Sequence, residues 1–257
     1  MSLRIATYNI QRGGRARARL LGTVLESIDP DIVILQEATD PTVVRELADG
    51  IGAGVLLSSP GRSVAMLARP MAVDVTWHEW GGGHGVAELH LLDHDVRLFG
   101  VHLTAGLSAR GERRRALEID RLLELVERPP GPTRAVIAGD LNAISPRDVL
   151  VQARLPTWIR ILVRIDGGIG TTVIGRLLAE GYTDAYRRLH AEATGATMPA
   201  AAPTVRLDYY LLGRGIVPAL TACDIPPDRP ELRAASDHLP LVLDLDLDPA
   251  RAERARP

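Results

Sequence analysis

The sequence predicts an α/β (α+β) architecture in which two mixed β-sheets pack face to face with helices outside them. Two observations carry that expectation. Short β-branched or alternating runs bounded by turn residues recur along almost the whole chain, and helical stretches stand between some of them. The 257 residues fit one large globular unit, because layered β architectures often run to about 250 residues without splitting. No linker or fixed-period repeat interrupts the pattern. We expect one domain over residues 1–248 and a polar C-terminal tail at 249–257.

Taken in order, the strand-like runs are Leu3 to Ile10, Asp31 to Gln36, Ser63 to Ala68, Met71 to Trp77, Val86 to Leu92, Val96 to Leu103, Arg134 to Ala138, Val205 to Leu212 and Leu239 to Leu245. Helices are expected at Arg17 to Ile28, Pro41 to Asp49, Val173 to Glu180 and Asp184 to His190. The clearest is Gly111 to Arg128, where Ala116, Ile119, Leu123 and Val126 form one apolar stripe. Its opposite face carries Arg114, Glu118, Arg121, Glu124 and Arg128, which read as a solvated ladder of weak ion pairs ahead of a phosphate-steering patch.

Composition bounds the partners. With 46% hydrophobic and 24% charged residues, the chain can bury a sizeable core and solubilise its surface. Every basic side chain apart from histidine is Arg, and the formal net charge of -2 gives no global case for nonspecific binding to a polyanion. Cys223 is the only cysteine, which excludes an internal disulfide and a multi-cysteine zinc site. The amino terminus enters a strand-like pattern with no charged leader and long apolar stretch, so a cytoplasmic protein without integral membrane association or an obligate protein partner is expected.

The chemistry gathers at strand ends. Five clusters matter: Thr7-Tyr8-Asn9-Ile10, Leu35-Gln36-Glu37, Val101-His102-Leu103, Gly139-Asp140-Leu141-Asn142, and the pair Arg206-Leu207-Asp208-Tyr209 with Ser236-Asp237-His238-Leu239-Pro240. Singly, each has a plain structural explanation: Asn9 and Asn142 as turn formers, Asp140 as a loop start, Glu37 as a helix cap, His102 as a packed strand-end histidine. Together they supply oxygen ligands for a hard cation, donors for phosphoryl oxygens and a base.

The order TYNI, LQE, HL, GDLN, RLDY and SDHLP closely resembles the endonuclease/exonuclease/phosphatase superfamily, which includes DNase I-like nucleases, sphingomyelinases and inositol-polyphosphate phosphatases. The resemblance implies a four-layered sandwich with its active site at one end of the two sheets. It implies Glu37 as principal Mg2+ ligand (Mn2+ as substitute) with Asn9 and Asp237 nearby, and His238 as general base oriented by Asp208. An imidazole near its ordinary pKa accepts a proton at neutral pH, and a carboxylate on its other nitrogen fixes the tautomer. Asp140 and Asn142 fall on alternate positions, so in an extended segment they point the same way, one toward water or the leaving group and the other toward a phosphoryl oxygen. His102 corresponds to a histidine that contacts the scissile phosphate in the nuclease, sphingomyelinase and inositol-phosphatase branches. The abasic-site repair branch has a tyrosine and an asparagine in that region, whereas here the chain reads Thr104-Ala105-Gly106-Leu107-Ser108.

The function expected is therefore metal-assisted hydrolysis of a phosphodiester or phosphomonoester in a nucleic acid, nucleotide, or lipid or inositol phosphate. The alternatives are a DNA or RNA nuclease of the same superfamily and, from another class, a catalytically inactive phosphate-ligand-binding module. Three further segments stand apart. Trp158 to Ile165 reads as a packed helix ahead of an amphipathic lid, Gly81 to Gly85 as a flexible hairpin loop rather than a phosphate cradle, and Arg12, Arg15 and Arg17 as surface groups.

Overall fold

The computed structural model describes residues 1–106, 108–127, 134–148 and 170–248. The apolar run at 158–165, the tail at 249–257 and Arg128 lie outside the described residues.

The strand-like runs become strands β1 (Ser2–Asn9), β2 (Ile32–Gln36), β4 (Val64–Ala68), β5 (Val73–Gly81), β6 (His84–Leu91), β7 (Val96–His102), β8 (Ala135–Asp140), β10 (Asp208–Leu212) and β12 (Leu241–Asp246). Three strands carried too weak a pattern to be read: β3 (Gly54–Leu57), the two-residue β9 (Thr183–Asp184) and β11 (Leu220–Asp224). The five expected helices are α1 (Ala18–Ile28), α2 (Pro41–Gly50), α3 (Ala109–Val126), α4 (Thr172–Ala179) and α5 (Ala185–Leu189), joined by the short α6 (Pro230–Ala235). Capping explains several starts. Asp40 accepts from Thr42 N and Ser108 accepts from Gly111 N at the first turns of α2 and α3.

One sheet has the order β11-β12-β1-β2-β4-β3, the other β5-β6-β7-β8-β10-β9. Each is antiparallel except for one central parallel pair, β1 with β2 and β7 with β8. Period-two alternation then sorts the side chains into three cores. Ile5, Ile34 and Met66 of the first sheet meet Leu98, Val136 and Tyr210 of the second. Ala6, Tyr8, Val33 and Leu35 face α1 and α2 on the outside of the first sheet. Phe99, Val101, Ile137 and Tyr209 face α3 and α4 on the outside of the second. The result is four layers, with the central strands β2, β4, β7, β8 and β10 buried on both faces, which is why they read as nearly continuous apolar runs.

The β5–β6 hairpin forms where the glycine run predicts a hairpin loop. Gly82 and Gly83, both at positive φ, make a two-residue turn between register partners Gly81 and His84. The turn is anchored, since Ser63 N donates to Gly83 O at 3.3 Å. Among the described residues, no helix is long and apolar enough to cross a membrane.

Candidate active site

The inter-sheet rows of apolar side chains turn polar at one end of the sandwich. Along β1 the row runs Leu3, Ile5, Thr7, Asn9; along β7 it runs Val96, Leu98, Gly100, His102; along β8 it runs Val136, Ala138, Asp140; and down β10 it runs Leu212, Tyr210, Asp208. Strand alternation alone therefore aims Asn9, His102, Asp140 and Asp208 into the gap between the sheets. Asp140 is the register partner of Asp208 on one side and of His102 on the other, so these three stand in one line across the second sheet.

At the polar end, two hydrogen-bonded side-chain pairs among the described residues cross the gap. Asn9 Nδ2 donates to Asp140 Oδ2 at 3.0 Å, and His238 Nδ1 pairs with Asp208 Oδ2 at 2.9 Å. The Asn9 amide also reaches Glu37 Oε1 at 3.2 Å, so one carboxamide bridges two carboxylates. His238 Nε2 lies 3.7 Å and His102 Nε2 3.8 Å from Asp140 Oδ2. Asp140, Asp208 and His238 offer ligand atoms within 4.8 Å of one another, whereas Glu37 and Asp237 stand outside that group. The structure thus brings together Asn9, Glu37, His102, Asp140, Asp208 and His238, with half-buried Asp237 next in chain to His238.

Glu37 and its neighbours depend on unusual backbone. Gln11, Arg12, Gly13, Gly14 and Glu37 all have positive φ. That left-handed turn points successive N–H groups at the site: Gln11 N donates to Asn9 Oδ1 at 2.9 Å, Arg12 N to Glu37 Oε2 at 2.6 Å and Gly13 N to Glu37 O at 2.8 Å. Non-glycine residues in this region cost of order 1–3 kcal/mol each and persist where surrounding structure fixes them.

Asn142 departs from its expectation. The strand ends at Asp140, and Asn142 sits at φ 47, so the two side chains are not alternate members of an extended segment. Instead Asn142 N donates to Asp140 Oδ1 at 2.9 Å, a turn closed by the carboxylate, while Asn142 Nδ2 donates to Leu103 O at 3.1 Å.

The electrostatics also differ from the sequence reading. Burial pushes the Asp208 carboxyl up from its ordinary value, and His238 pulls it part of the way back. Burial pulls the His238 imidazole down, but Asp208, Asp140 and Asp237 outweigh it and raise the group to about 10. Three carboxylates facing one imidazole favour an imidazolium–carboxylate pair. The histidine is therefore not near its ordinary pKa when only protein surrounds it.

Sequence reasoning missed four supports. Arg206, only 2% exposed, donates to both oxygens of Asp184 and of Asp148 and stacks 4.4 Å from the Tyr209 ring centroid. Tyr209 Oη donates to Ala143 O and accepts from Ser145 N, which holds the turn beyond Asp140. Arg17, expected at the surface, instead donates to Ile10 O, Gln11 O and Ala235 O. Ser236 was read only as part of a motif; its Oγ donates to Asn9 O at 2.6 Å. Arg12 remains exposed, and Arg15 pairs with Asp40 at the surface.

The donor set suits a hard divalent cation, because carboxylate and amide oxygens predominate and the group Asp140, Asp208 and His238 has no Arg partner within salt-bridge reach among the described residues.

Comparison with known proteins agrees with this layout. An AP endonuclease from Archaeoglobus fulgidus superposes with a TM-score of 0.74 at 21% identity, covering 95% of this chain and 99% of its own. The 3′ phosphatase NExo from Neisseria, bound to product DNA hairpin, gives 0.70 at 19% identity over 95% and 99%. AP endonuclease LMAP from Leishmania major gives 0.69 at 16% identity over 95% and 87%. At such identities the likeness establishes the fold. Among curated proteins none matches. The model of the Endonuclease/Exonuclease/phosphatase family matches residues 6–238, from within β1 to the site histidine, and the chain belongs to that family.

Proposed function

We propose that this protein is a divalent-metal-dependent phosphoesterase that directs water at a phosphorus centre. The observation that carries the reading is the pair of contacts across the gap, Asn9 to Asp140 and His238 to Asp208, which joins a carboxylate-rich hollow to an oriented histidine. Glu37, with Asn9 and Asp237, would hold the cation, Mg2+ or Mn2+ in its place. When bound, the cation supplies Lewis-acid polarisation of a phosphoryl oxygen and the positive charge that offsets the carboxylate field now raising His238.

The chain's own groups do the rest. Asp208 fixes the His238 tautomer through Nδ1 and leaves Nε2 to take a proton from water. Asp140, 3.7 Å from that nitrogen, sits where it can orient the water or serve the leaving group. His102, and the amide hydrogen of Asn142 not given to Leu103, are the donors for phosphoryl oxygens.

A nuclease reading of the same chemistry is favoured by exposed arginines at the site end of the sandwich. Arg110, Arg113 and Arg114 lie on the first turns of α3, which follows His102, and Arg12 follows Asn9. The 3′ phosphatase NExo, whose structure holds product DNA hairpin, shares the fold. The stretch Thr104-Ala105-Gly106 after Leu103, without that branch's tyrosine and asparagine, argues against abasic-site repair.

The test is hydrolysis of bis(4-nitrophenyl) phosphate in Mg2+ with and without chelator. We expect turnover that chelator abolishes and that falls in Glu37→Gln and His238→Ala; unchanged turnover in both variants overturns the site. Salt-sensitive plasmid cleavage would select the nuclease. Tight metal-dependent phosphate binding without turnover would mark a non-catalytic module.

A further inference from the structure

The ladder between β1 and β12 ends at the partners Thr7 and Leu241. Asn9 and His238 both lie beyond that last pair, so main-chain pairing of these two strands does not set the spacing between them. Main-chain bonds from Ala200 N to Asp237 O and from Leu239 N to Thr197 O hold the His238 segment to the 197–200 turn, and side chains link it to the Asn9 loop. Arg17 donates from Nη2 to Ile10 O at 3.0 Å and also to Gln11 O, and from Nη1 to Ala235 O. Ser236 Oγ donates to Asn9 O at 2.6 Å and accepts from His238 N at 3.3 Å. Each link joins the chain at 9–11 to the chain at 235–236, a few residues before His238.

We propose that Arg17 and Ser236 are positioning residues that together clamp the Asn9–Gln11 loop to the Ala235–His238 segment and so set the separation of Asn9 and His238. The proposal rests on the phosphoesterase reading for its effect on rate. A planar guanidinium suits the task because its fork reaches several carbonyls at once, whereas an ammonium is a point charge on a flexible stem. The separation matters because Asp140 and Asp208, the partners of Asn9 and His238 in the opposite sheet, are fixed side by side by strand register. A shift of the clamped segments would break one cross-gap contact or the other, and misplacement by about 1 Å can cost on the order of 100-fold in rate.

The experiment compares the full chain with Ser236→Ala, Ser236→Thr and Arg17→Met, reading kcat and KM for bis(4-nitrophenyl) phosphate in saturating Mg2+, with thermal melts alongside. The expected result is a fall in kcat of about 10- to 100-fold in Ser236→Ala and Arg17→Met, KM within about twofold, and partial recovery in Ser236→Thr, which keeps the hydroxyl. In a His238→Ala background, Ser236→Ala should cost clearly less than in wild type, since no imidazole is left to place and only Asn9 can still shift. An equal loss in both backgrounds, or a kcat loss that tracks the unfolded fraction, overturns the clamp and leaves a purely structural role. If wild type turns nothing over, the phosphoesterase reading falls separately, and 1H–15N spectra decide the clamp. Asn9 carboxamide and His238 imidazole signals that shift together in Ser236→Ala support it, and unmoved signals overturn it.

Discussion

The second sheet delivers most of its site residues from within the strands, Asn142 excepted, whereas the first sheet delivers most of its own from beyond them. Asp140 and Asp208 are the terminal paired residues of β8 and β10, so their positions follow from the same ladder that organises the core. Glu37, Asp237 and His238 follow the last paired residues of β2 or precede those of β12, and they depend on positive-φ turns, Arg17 and Ser236. The second edge is set by strand register, whereas on the first edge side-chain ties add to main-chain bonds outside the ladder, such as Ala200 N to Asp237 O and Leu239 N to Thr197 O. The difference teaches where substitutions should act: on the second sheet through chemistry or strand fit, on the first through placement.

The largest expected effect tests the second edge. Asp208→Asn should lower kcat by roughly 10²- to 10⁴-fold while the melting temperature stays close to wild type, because the fold keeps an isosteric partner and the histidine loses its charged orienter. Steady-state kinetics with a thermal melt measures both. Next, Gly139→Ala should destabilise the protein by about 3 kcal/mol or more. Gly139 has φ 141, and a Cβ there would stand 2.0 Å from Val101 O, forcing β8 away from β7. Denaturant unfolding reads that loss.

Predictions for the first edge are smaller. Glu37→Gln should raise the Mg2+ concentration for half-maximal activity by about 10- to 100-fold, the range by which ligand-supporting groups alone alter metal affinity, with little change in stability. A metal titration of activity checks it, and an unshifted midpoint would move the cation to Asp140 and Asp208. At the bottom of the range, exposed Arg121→Ala should alter stability by no more than about 0.5 kcal/mol, with kcat unaffected.

How much could be read in advance follows the same division. The rows ending in Asn9, His102, Asp140 and Asp208 were legible because period two puts strand polar residues on a face fixed by their apolar neighbours. The motif order also singled out Glu37, Asp237 and His238 as candidates, but nothing local revealed their ties. Arg17 and Ser236 act on carbonyls, and a carbonyl leaves no trace in residue identity. The Gly13-Gly14 pair was the available signal for the left-handed turn.

The same blindness affected α3. Its charged face holds exposed Arg114, Arg121 and Glu124, as a solvated ladder should. Glu118, however, accepts from Thr104 N and Oγ1, and Arg115, 1% exposed, donates to Thr104 O and Gly106 O. Both serve the loop after His102, whose need for partners depends on its path rather than its composition. The His238 shift was hidden for a like reason, since it depends on three carboxylates distant in sequence or set by the fold.

The central claim is that the facing edges act as one catalytic unit through His238 and Asp208. The most direct measurement is kcat for His238→Ala, Asp208→Ala and the double variant under saturating Mg2+. The account predicts that the double variant is about as slow as His238→Ala alone, because residues acting as a unit lose their joint contribution once. Losses that multiply, or full activity in Asp208→Ala, would contradict it.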